Sequence, residues 1–263
     1  MTVLERIVAD TRKSLDERRK VRPAPDLERE ALASAPPRDF RTALQGDGAN
    51  IIAEIKRASP SKGWLSPALN VRDMARAYTR GGAAALSVLT EVSWFKGGLA
   101  DLAAAREATH LPLLCKDFIL DPYQVCEARI YGADAVLLIS AILSLKEMRL
   151  LMGQASELRM ACLVEVHDES ELETALSAGS DIIGINNRNL ADFSVDLNTT
   201  LRICPLVPEG ITVVSESGIT SAEDIRRLTA AGVDALLVGE SLVASLDPEA
   251  RIRHLKGEVG VRG

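Results

Sequence analysis

Gly132-Ala-Asp-Ala-Val-Leu-Leu138 has three counterparts along the chain: Gly82-Ala-Ala-Ala-Leu-Ser-Val88, Gly179-Ser-Asp-Ile-Ile-Gly-Ile185 and Gly232-Val-Asp-Ala-Leu-Leu-Val238. Each leads from a glycine through one or two small residues into an apolar run, and three of the four carry Asp two places after the glycine. The glycine closes an amphipathic stretch, as Gly232 closes Ala222 to Ala231, and suits the left-handed turn that ends a helix. The run that follows has the near-continuous hydrophobicity of a parallel strand covered on both faces. Each segment therefore reads as a helix-to-strand junction, and a repeat of such junctions decides the architecture.

Successive junctions lie about 50 residues apart, twice the length of one strand-plus-helix unit, so each interval holds a further strand. These are Leu111-Pro-Leu-Leu-Cys-Lys116, Met160-Ala-Cys-Leu-Val-Glu165 and Gly210-Ile-Thr-Val-Val-Ser215, and Ile51-Ile-Ala-Glu-Ile-Lys56 precedes the first junction. Four strands of each kind predict an α/β chain closed as a single (β/α)8 TIM barrel over residues 50–263. An open sheet would tend to carry a Gly-x-Gly-x-x-Gly turn after its first strand, and the sequence has none there. Upstream, Thr2-x-x-Glu5 reads as a capping box for an amphipathic helix carrying Val3, Leu4, Ile7, Val8 and Leu15. The Pro-rich stretch from Arg22 to Pro37 reads as an interruption, and Phe40 with Leu44 as one more helical turn. Residues 1–49 thus form a helical N-terminal extension.

The chain of 263 residues is 47% hydrophobic, enough to bury one large core and to set aside disordered and fibrous classes. A net charge of −6 provides no cationic field for a nucleic-acid backbone or an anionic membrane. The first residues lack the apolar core of a signal peptide, and no stretch reaches the roughly 18 apolar residues of a membrane span, which predicts a cytoplasmic protein. Cys115, Cys126, Cys162 and Cys204 are far apart, with no Cys-x-x-Cys pair and no histidine at ligand spacing, so they read as reduced thiols and no metal is expected. His110, His167 and His254 are equally scattered; His167 follows a strand and could line a site, but reads first as a surface or helix-capping residue.

Barrel interiors are packed with branched apolar side chains, and reactive groups emerge at the C-terminal ends of the strands. Here those ends carry charge. Glu54 and Lys56 are two apart and share a side of their strand. Lys116 ends the next odd strand and Glu165 the one after, while Glu216 follows the fourth; Asn186 and Arg188 end an even strand. An unpaired buried ion costs several kcal/mol, so this set points to chemistry rather than packing. A lysine in low dielectric beside another cation is expected to have a lowered pKa, and the carboxylates offer the complementary base. Ser215-Glu-Ser-Gly-Ile219 and Val238-Gly-Glu-Ser241 follow the last two strands, where barrels commonly bind phosphate, and Gly218 and Gly239 let backbone N–H groups approach an anion.

Together these residues resemble one family. Ala53-Glu-Ile-Lys-Arg-Ala-Ser-Pro-Ser-Lys-Gly63 is similar to the first-strand signature of indole-3-glycerol-phosphate synthases. Similar segments are Ser87-Val-Leu-Thr-Glu91, Leu114-Cys-Lys-Asp-Phe118, Leu163-Val-Glu-Val-His167, Gly184-Ile-Asn-Asn-Arg-Asn-Leu190, Ser215-Glu-Ser-Gly-Ile219 and Val238-Gly-Glu-Ser-Leu242. The likeness spans essentially the whole chain. It implies an extension packed over the barrel mouth and a carboxy-lyase of tryptophan biosynthesis that uses no cofactor. The implied reaction closes the ring of 1-(2-carboxyphenylamino)-1-deoxyribulose 5-phosphate, losing carbon dioxide and water. By this resemblance Lys116 protonates the ketone oxygen, Lys56 holds the substrate carboxylate and donates a proton in the dehydration, and Glu165 takes a proton in that step. Glu54 and Glu216 position the lysines, Asn186 bonds the sugar hydroxyls or the reacting face, and Arg188 supports the anionic substrate. Ser217, Gly218, Gly239 and the backbone of Glu240 grip the phosphate, with Ser59 approaching from the first loop. Pro60, Leu89, Phe118 and Leu137 are candidates for the pocket of the aromatic ring.

Two other readings use the same residues. A strand-end lysine in a phosphate-binding barrel could form a Schiff base, as in a sugar-phosphate aldolase. A catalytically silent barrel could instead bind a phosphorylated metabolite without converting it.

Overall fold

The computed structural model describes residues 2–189 and 192–257; Leu190, which ends one of the family-like segments, and the last residues of the predicted barrel lie outside them. Eight parallel strands close into a barrel: β1 (Asn50–Ile55), β2 (Ala85–Leu89), β3 (Leu113–Lys116), β4 (Ala135–Ile139), β5 (Ala161–Val166), β6 (Ile182–Asn186), β7 (Thr212–Glu216) and β8 (Ala235–Val238). Each pairs with its sequence neighbours, and β8 returns to β1 with Ala53 opposite Val238. The four junction glycines, Gly82, Gly132, Gly179 and Gly232, all have positive φ, which explains why the repeat needs glycine there. The repeated Asp ties down backbone: Asp134 accepts from Leu113 N at 2.8 Å and Asp234 from Val213 N at 2.7 Å, securing the start of the preceding strand.

Strand parity separates two apolar layers. Ile52, Leu114, Leu163, Ile182 and Val214 pack together inside the barrel, whereas Ile51, Leu113, Val164, Ile183 and Val213 pack outward against the helices. The outer ring comprises α4 (Val71–Arg80), α5 (Leu99–Ala108), α6 (Pro122–Ile130), α7 (Leu145–Glu157), α8 (Glu169–Ala178), α9 (Asn198–Ile203), α10 (Ala222–Ala230), α11 (Glu240–Val243) and α12 (Pro248–Leu255). Among the described residues no helix is long and apolar enough to cross a membrane. The four cysteines are buried free thiols.

The chain opens with α1 (Val3–Val21), whose capping box is formed: Thr2 Oγ1 accepts from Glu5 N at 3.1 Å and the Glu5 carboxylate accepts from Thr2 N at 2.8 Å. The stretch from Arg22 to Pro37 is not merely an interruption, because it contains a second helix, α2 (Ala24–Ala33). Pro23 stands at its N-cap and Pro25 in its first turn, where a proline lacks no needed N–H and its φ already fits the helix. Leu27 and Ala31 bury one face of α2, which packs on α6. The short α3 (Phe40–Ala43) brings Phe40 and Leu44 into the inner layer. Arg38, just before it, donates to the carbonyls of Thr109 and Leu111 at 3.0 and 2.6 Å, ahead of β3. The extension therefore plugs the end of the barrel where strands begin, while Val3, Leu4 and Ile7 of α1 reach the cavity where strands finish.

Candidate active site

Glu54, Lys116, Glu165 and Glu216 share the strand parity of Ile52, Leu114, Leu163 and Val214, so pleating carries all four inward. They meet in a cavity of about 480 Å³ at the C-terminal ends of the strands. Lys56, Asn186 and Arg188 line the same cavity, as do Ser59, Pro60, Leu89, Phe118 and Leu137. Ser217, Gly218, Gly239 and Glu240 border it from the loops after β7 and β8. The structure thus brings every residue predicted for the site to one place. A cavity of this size, walled by apolar groups with a few converging charges, suits a small organic ligand.

The charges are paired. Lys116 Nζ lies 3.0 Å from Glu165 Oε2 and 2.9 Å from Glu216 Oε2. Lys56 Nζ lies 2.7 Å from Glu54 Oε1. At the rim, Glu240 receives Lys62 Nζ at 2.6 Å and Arg188 Nη2 at 2.9 Å. Asn186 Oδ1 accepts from Arg188 N at 3.0 Å. Strands around the barrel thus present cation and carboxylate to each other across its axis, which offsets part of the desolvation of each.

Lys116 corrects one expectation. Burial by itself lowers its pKa, but Glu165, Glu216 and more distant Glu54 outweigh that and raise it above the ordinary lysine value. It stands as a firmly protonated ammonium. Burial pushes Glu165 upward too, yet Lys116, His167 and the hydrogen bond from Asn186 hold its carboxyl below the usual carboxylate range. Glu216 goes the other way: burial and the neighbouring carboxylates raise it despite Lys116. Two carboxylates share one cation, with the pKa of Glu165 lowered and that of Glu216 raised.

Glycine has steric reasons here besides any approach to an anion. A Cβ on Gly239 would lie 2.4 Å from Glu54 Oε1, and one on Gly184 would lie 2.2 Å from Glu216 Oε1. Both positions make room for carboxylates that hold the lysines. Ser217 and Gly218 follow β7 with φ of 66° and 82°, a left-handed pair that turns the chain along the cavity. For Ser217 that conformation costs on the order of 1–3 kcal/mol, a strain typical of functional loops.

Several lining residues lie beyond what the sequence alone assigns. Lys62 is legible there only as part of the Ser-Pro-Ser-Lys stretch; its pairing with Glu240 joins the loops after β1 and β8, which sequence separation hides. Val3, Leu4 and Ile7 read as one face of an amphipathic helix; the resemblance places the extension over the mouth, but helical spacing alone does not say that these residues line the cavity, as they do. Asp117 lines the cavity and accepts from Thr90 Oγ1 at 2.5 Å and from Phe118 N at 2.8 Å; burial pushes its pKa up. His167 is not a surface residue: its side chain is 14% exposed, and its ring nitrogen lies 3.0 Å from the Glu171 carboxylate.

A closed (β/α)8 barrel with a cavity of paired lysines and glutamates at the C-terminal ends of its strands has the form of a barrel enzyme. A sequence profile of the family "Indole-3-glycerol phosphate synthase" matches residues 4–255. The chain is 50% identical over 257 residues to the indole-3-glycerol phosphate synthase of Dehalococcoides mccartyi, covering 96% of this chain and 99% of that protein. It is 47% identical over 258 residues to the enzyme of that name from Nocardioides sp., covering 98% and 99%. In fold alone it is similar to thiamine phosphate pyrophosphorylase from Pyrococcus furiosus, with a TM-score of 0.62 at 19% identity, covering 82% of this chain and 96% of that one. The chain belongs to the indole-3-glycerol phosphate synthase family, carboxy-lyases of tryptophan biosynthesis.

Proposed function

We propose that the cavity closes the ring of 1-(2-carboxyphenylamino)-1-deoxyribulose 5-phosphate by general acid–base catalysis with Lys116, Lys56 and Glu165. The observation that carries this reading is the Lys116 ammonium held between Glu165 and Glu216 in an apolar cavity. As the ring carbon bearing the carboxylate attacks the ketone, Lys116 gives its proton to the ketone oxygen. Carbon dioxide then leaves and its bonding electrons restore the aromatic ring. In the dehydration Lys56, which first holds the substrate carboxylate, donates a proton to the departing hydroxyl. Glu165 takes the proton released from the ring carbon or amine. A proton-donating ammonium and a carboxylate three ångströms apart suit consecutive donation and acceptance.

Glu54 and Glu216 position the two lysines, Asn186 bonds the substrate hydroxyls or the reacting face, and Arg188 supports the anion. Pro60, Leu89, Phe118 and Leu137 bound the aromatic ring. The phosphate lies against Ser217, Gly218, Gly239 and the backbone of Glu240, with Ser59 approaching from the first loop; the paired left-handed turn at Ser217 and Gly218 supports this placement. A Schiff base is disfavoured because its lysine must be neutral before it attacks the carbonyl, whereas Lys116 is held between two carboxylates and gives up its proton only to the oxygen that gains charge during ring closure. No cofactor enters these steps. The small phosphorylated substrate and the reduced, buried thiols fit a cytoplasmic setting without a nucleic-acid or membrane partner. Residues 1–49 act with the barrel as one structural unit. Incubation with the carboxyphenylamino sugar phosphate tests the reading: indole fluorescence should appear with release of carbon dioxide, and unchanged substrate would refute it in favour of a binding protein.

A further inference from the structure

His167 stands one residue beyond the end of β5, two places after Glu165, and thus on the same side of the strand. Its ring lies behind Glu165. It borders a second, more polar cavity of about 580 Å³, together with Asp168 and Glu171. One ring nitrogen, Nδ1, is 3.0 Å from Glu171 Oε2, and that same oxygen accepts from His167 N at 2.8 Å. The other, Nε2, is buried without a hydrogen bond and lies 3.5 Å from Glu165 Oε1. Glu165 presents its remaining oxygen, Oε2, to Lys116 at 3.0 Å. The result is a line of alternating charge: Glu171, His167, Glu165, Lys116, Glu216.

The proposed reaction imposes a demand on this line. Once Lys116 has given its proton to the ketone it is a neutral amine, and Glu165 and Glu216 lose the cation they share. Two buried carboxylates without a counter-charge favour taking up a proton, which would consume the base before the dehydration needs it. Something must keep Glu165 ionised through that interval.

We propose that His167 is a positioning residue for the reaction: as an imidazolium fixed by Glu171, it faces Glu165 Oε1, the oxygen turned away from Lys116, and remains as its counter-cation after Lys116 is discharged. This rests on the reading of Glu165 as the base. No bond forms or breaks at His167; it acts by charge and orientation. Burial by itself disfavours the charged ring, but the Glu171 hydrogen bond and the carboxylates Glu165, Glu171 and Glu216 raise its pKa above the ordinary histidine value. The groups facing it are Glu165 from β5, Asp168 and Glu171 from the start of α8, and Glu216 from β7; Arg188 and Arg202, also bordering the second cavity, are paired with Glu240 and Glu169. The surroundings are thus dominated by negative charge.

The test compares His167→Gln, His167→Asn, Glu171→Gln and Glu165→Gln with the parent enzyme, measuring kcat and KM against pH and following the His167 ring by NMR titration. Both His167 variants should lower kcat about tenfold at neutral pH with KM within about twofold, and should move the acid limb of the kcat profile to higher pH, since Glu165 then protonates more easily. Glu171→Gln should lower the NMR-measured pKa of His167 and bring the alkaline fall of kcat to lower pH in step with it. Glu165→Gln separates the two claims. If it retains turnover, the assignment of the base fails whatever His167 does. If it abolishes turnover while folded His167 variants keep the parent pH profile, the role given to His167 is overturned. A His167 ring that titrates at or below the ordinary histidine value would overturn it as well, even if one of the substitutions failed to fold.

Discussion

In the proposed reaction Lys116 carries the first proton transfer, and its surroundings dictate how that role can be tested. Lys116→Met should abolish turnover, below about one-thousandth of the parent rate, while product affinity stays within about tenfold, because the ammonium acts on a transition state rather than on the bound product. Steady-state kinetics and an equilibrium fluorescence titration check the two halves. Glu216 makes a second prediction, read in stability rather than rate. A carboxyl whose folded pKa is raised stabilises the fold fully below its unfolded value, and that contribution is lost as pH rises through the folded value, here pushed up to about 7. Glu216→Gln removes this loss. Denaturant unfolding should show the variant gaining on the parent by on the order of 3 kcal/mol between about pH 4.5 and 7; a constant difference would mean that Glu216 is not strained by its neighbour. The sign of the Lys116 shift is not legible in the sequence. Strand position tells that the lysine is buried, but the count of carboxylates against it depends on which strands face each other across the axis.

Strands are legible and loops are not, for a reason rooted in periodicity. A period of two assigns Glu54, Lys116, Glu165 and Glu216 to the inner face as soon as the strands are recognised, since Ile52, Leu114, Leu163 and Val214 occupy the same parity. The helix α2 is hidden because Pro23 and Pro25 read as breakers, although at a helix start prolines are favoured. The contact between Lys62 and Glu240 joins loops after the first and last barrel strands and has no local signature. Two glycines beside the buried carboxylates give the prediction at this scale. Gly184→Ala places a methyl against Glu216 Oε1, and Gly239→Ala places one against Glu54 Oε1. Each should cost about 1–3 kcal/mol of stability and lower kcat more than it raises KM, by displacing the carboxylate that holds a lysine. A variant with parent kcat would show that the lysine does not depend on its partner's position.

Across the molecule, closure of the barrel is what turns distant residues into a site. The repeat of glycine, aspartate and apolar run foretells eight strands, and eight strands with β8 paired to β1 bring the phosphate-loop candidates Gly218 and Gly239 to the same rim as Lys56. The extension closes the opposite end with Phe40 and Leu44 and covers the cavity with Val3, Leu4 and Ile7. Amphipathic spacing in α1 announces a buried face but cannot say what it covers, because that depends on the path of residues 22–39 around the barrel. One spatial relation underlies the proposed chemistry: the acid at Lys116 and the anion grip at Gly218 and Gly239 engage opposite parts of one substrate. A crystal structure with an unreactive analogue, its ketone reduced to an alcohol, measures this directly. The phosphate should lie against Gly218 and Gly239, with the alcohol oxygen within about 3.2 Å of Lys116 Nζ. A phosphate seated away from those loops, or an alcohol oxygen beyond the reach of Lys116 and nearer another acid, would contradict it.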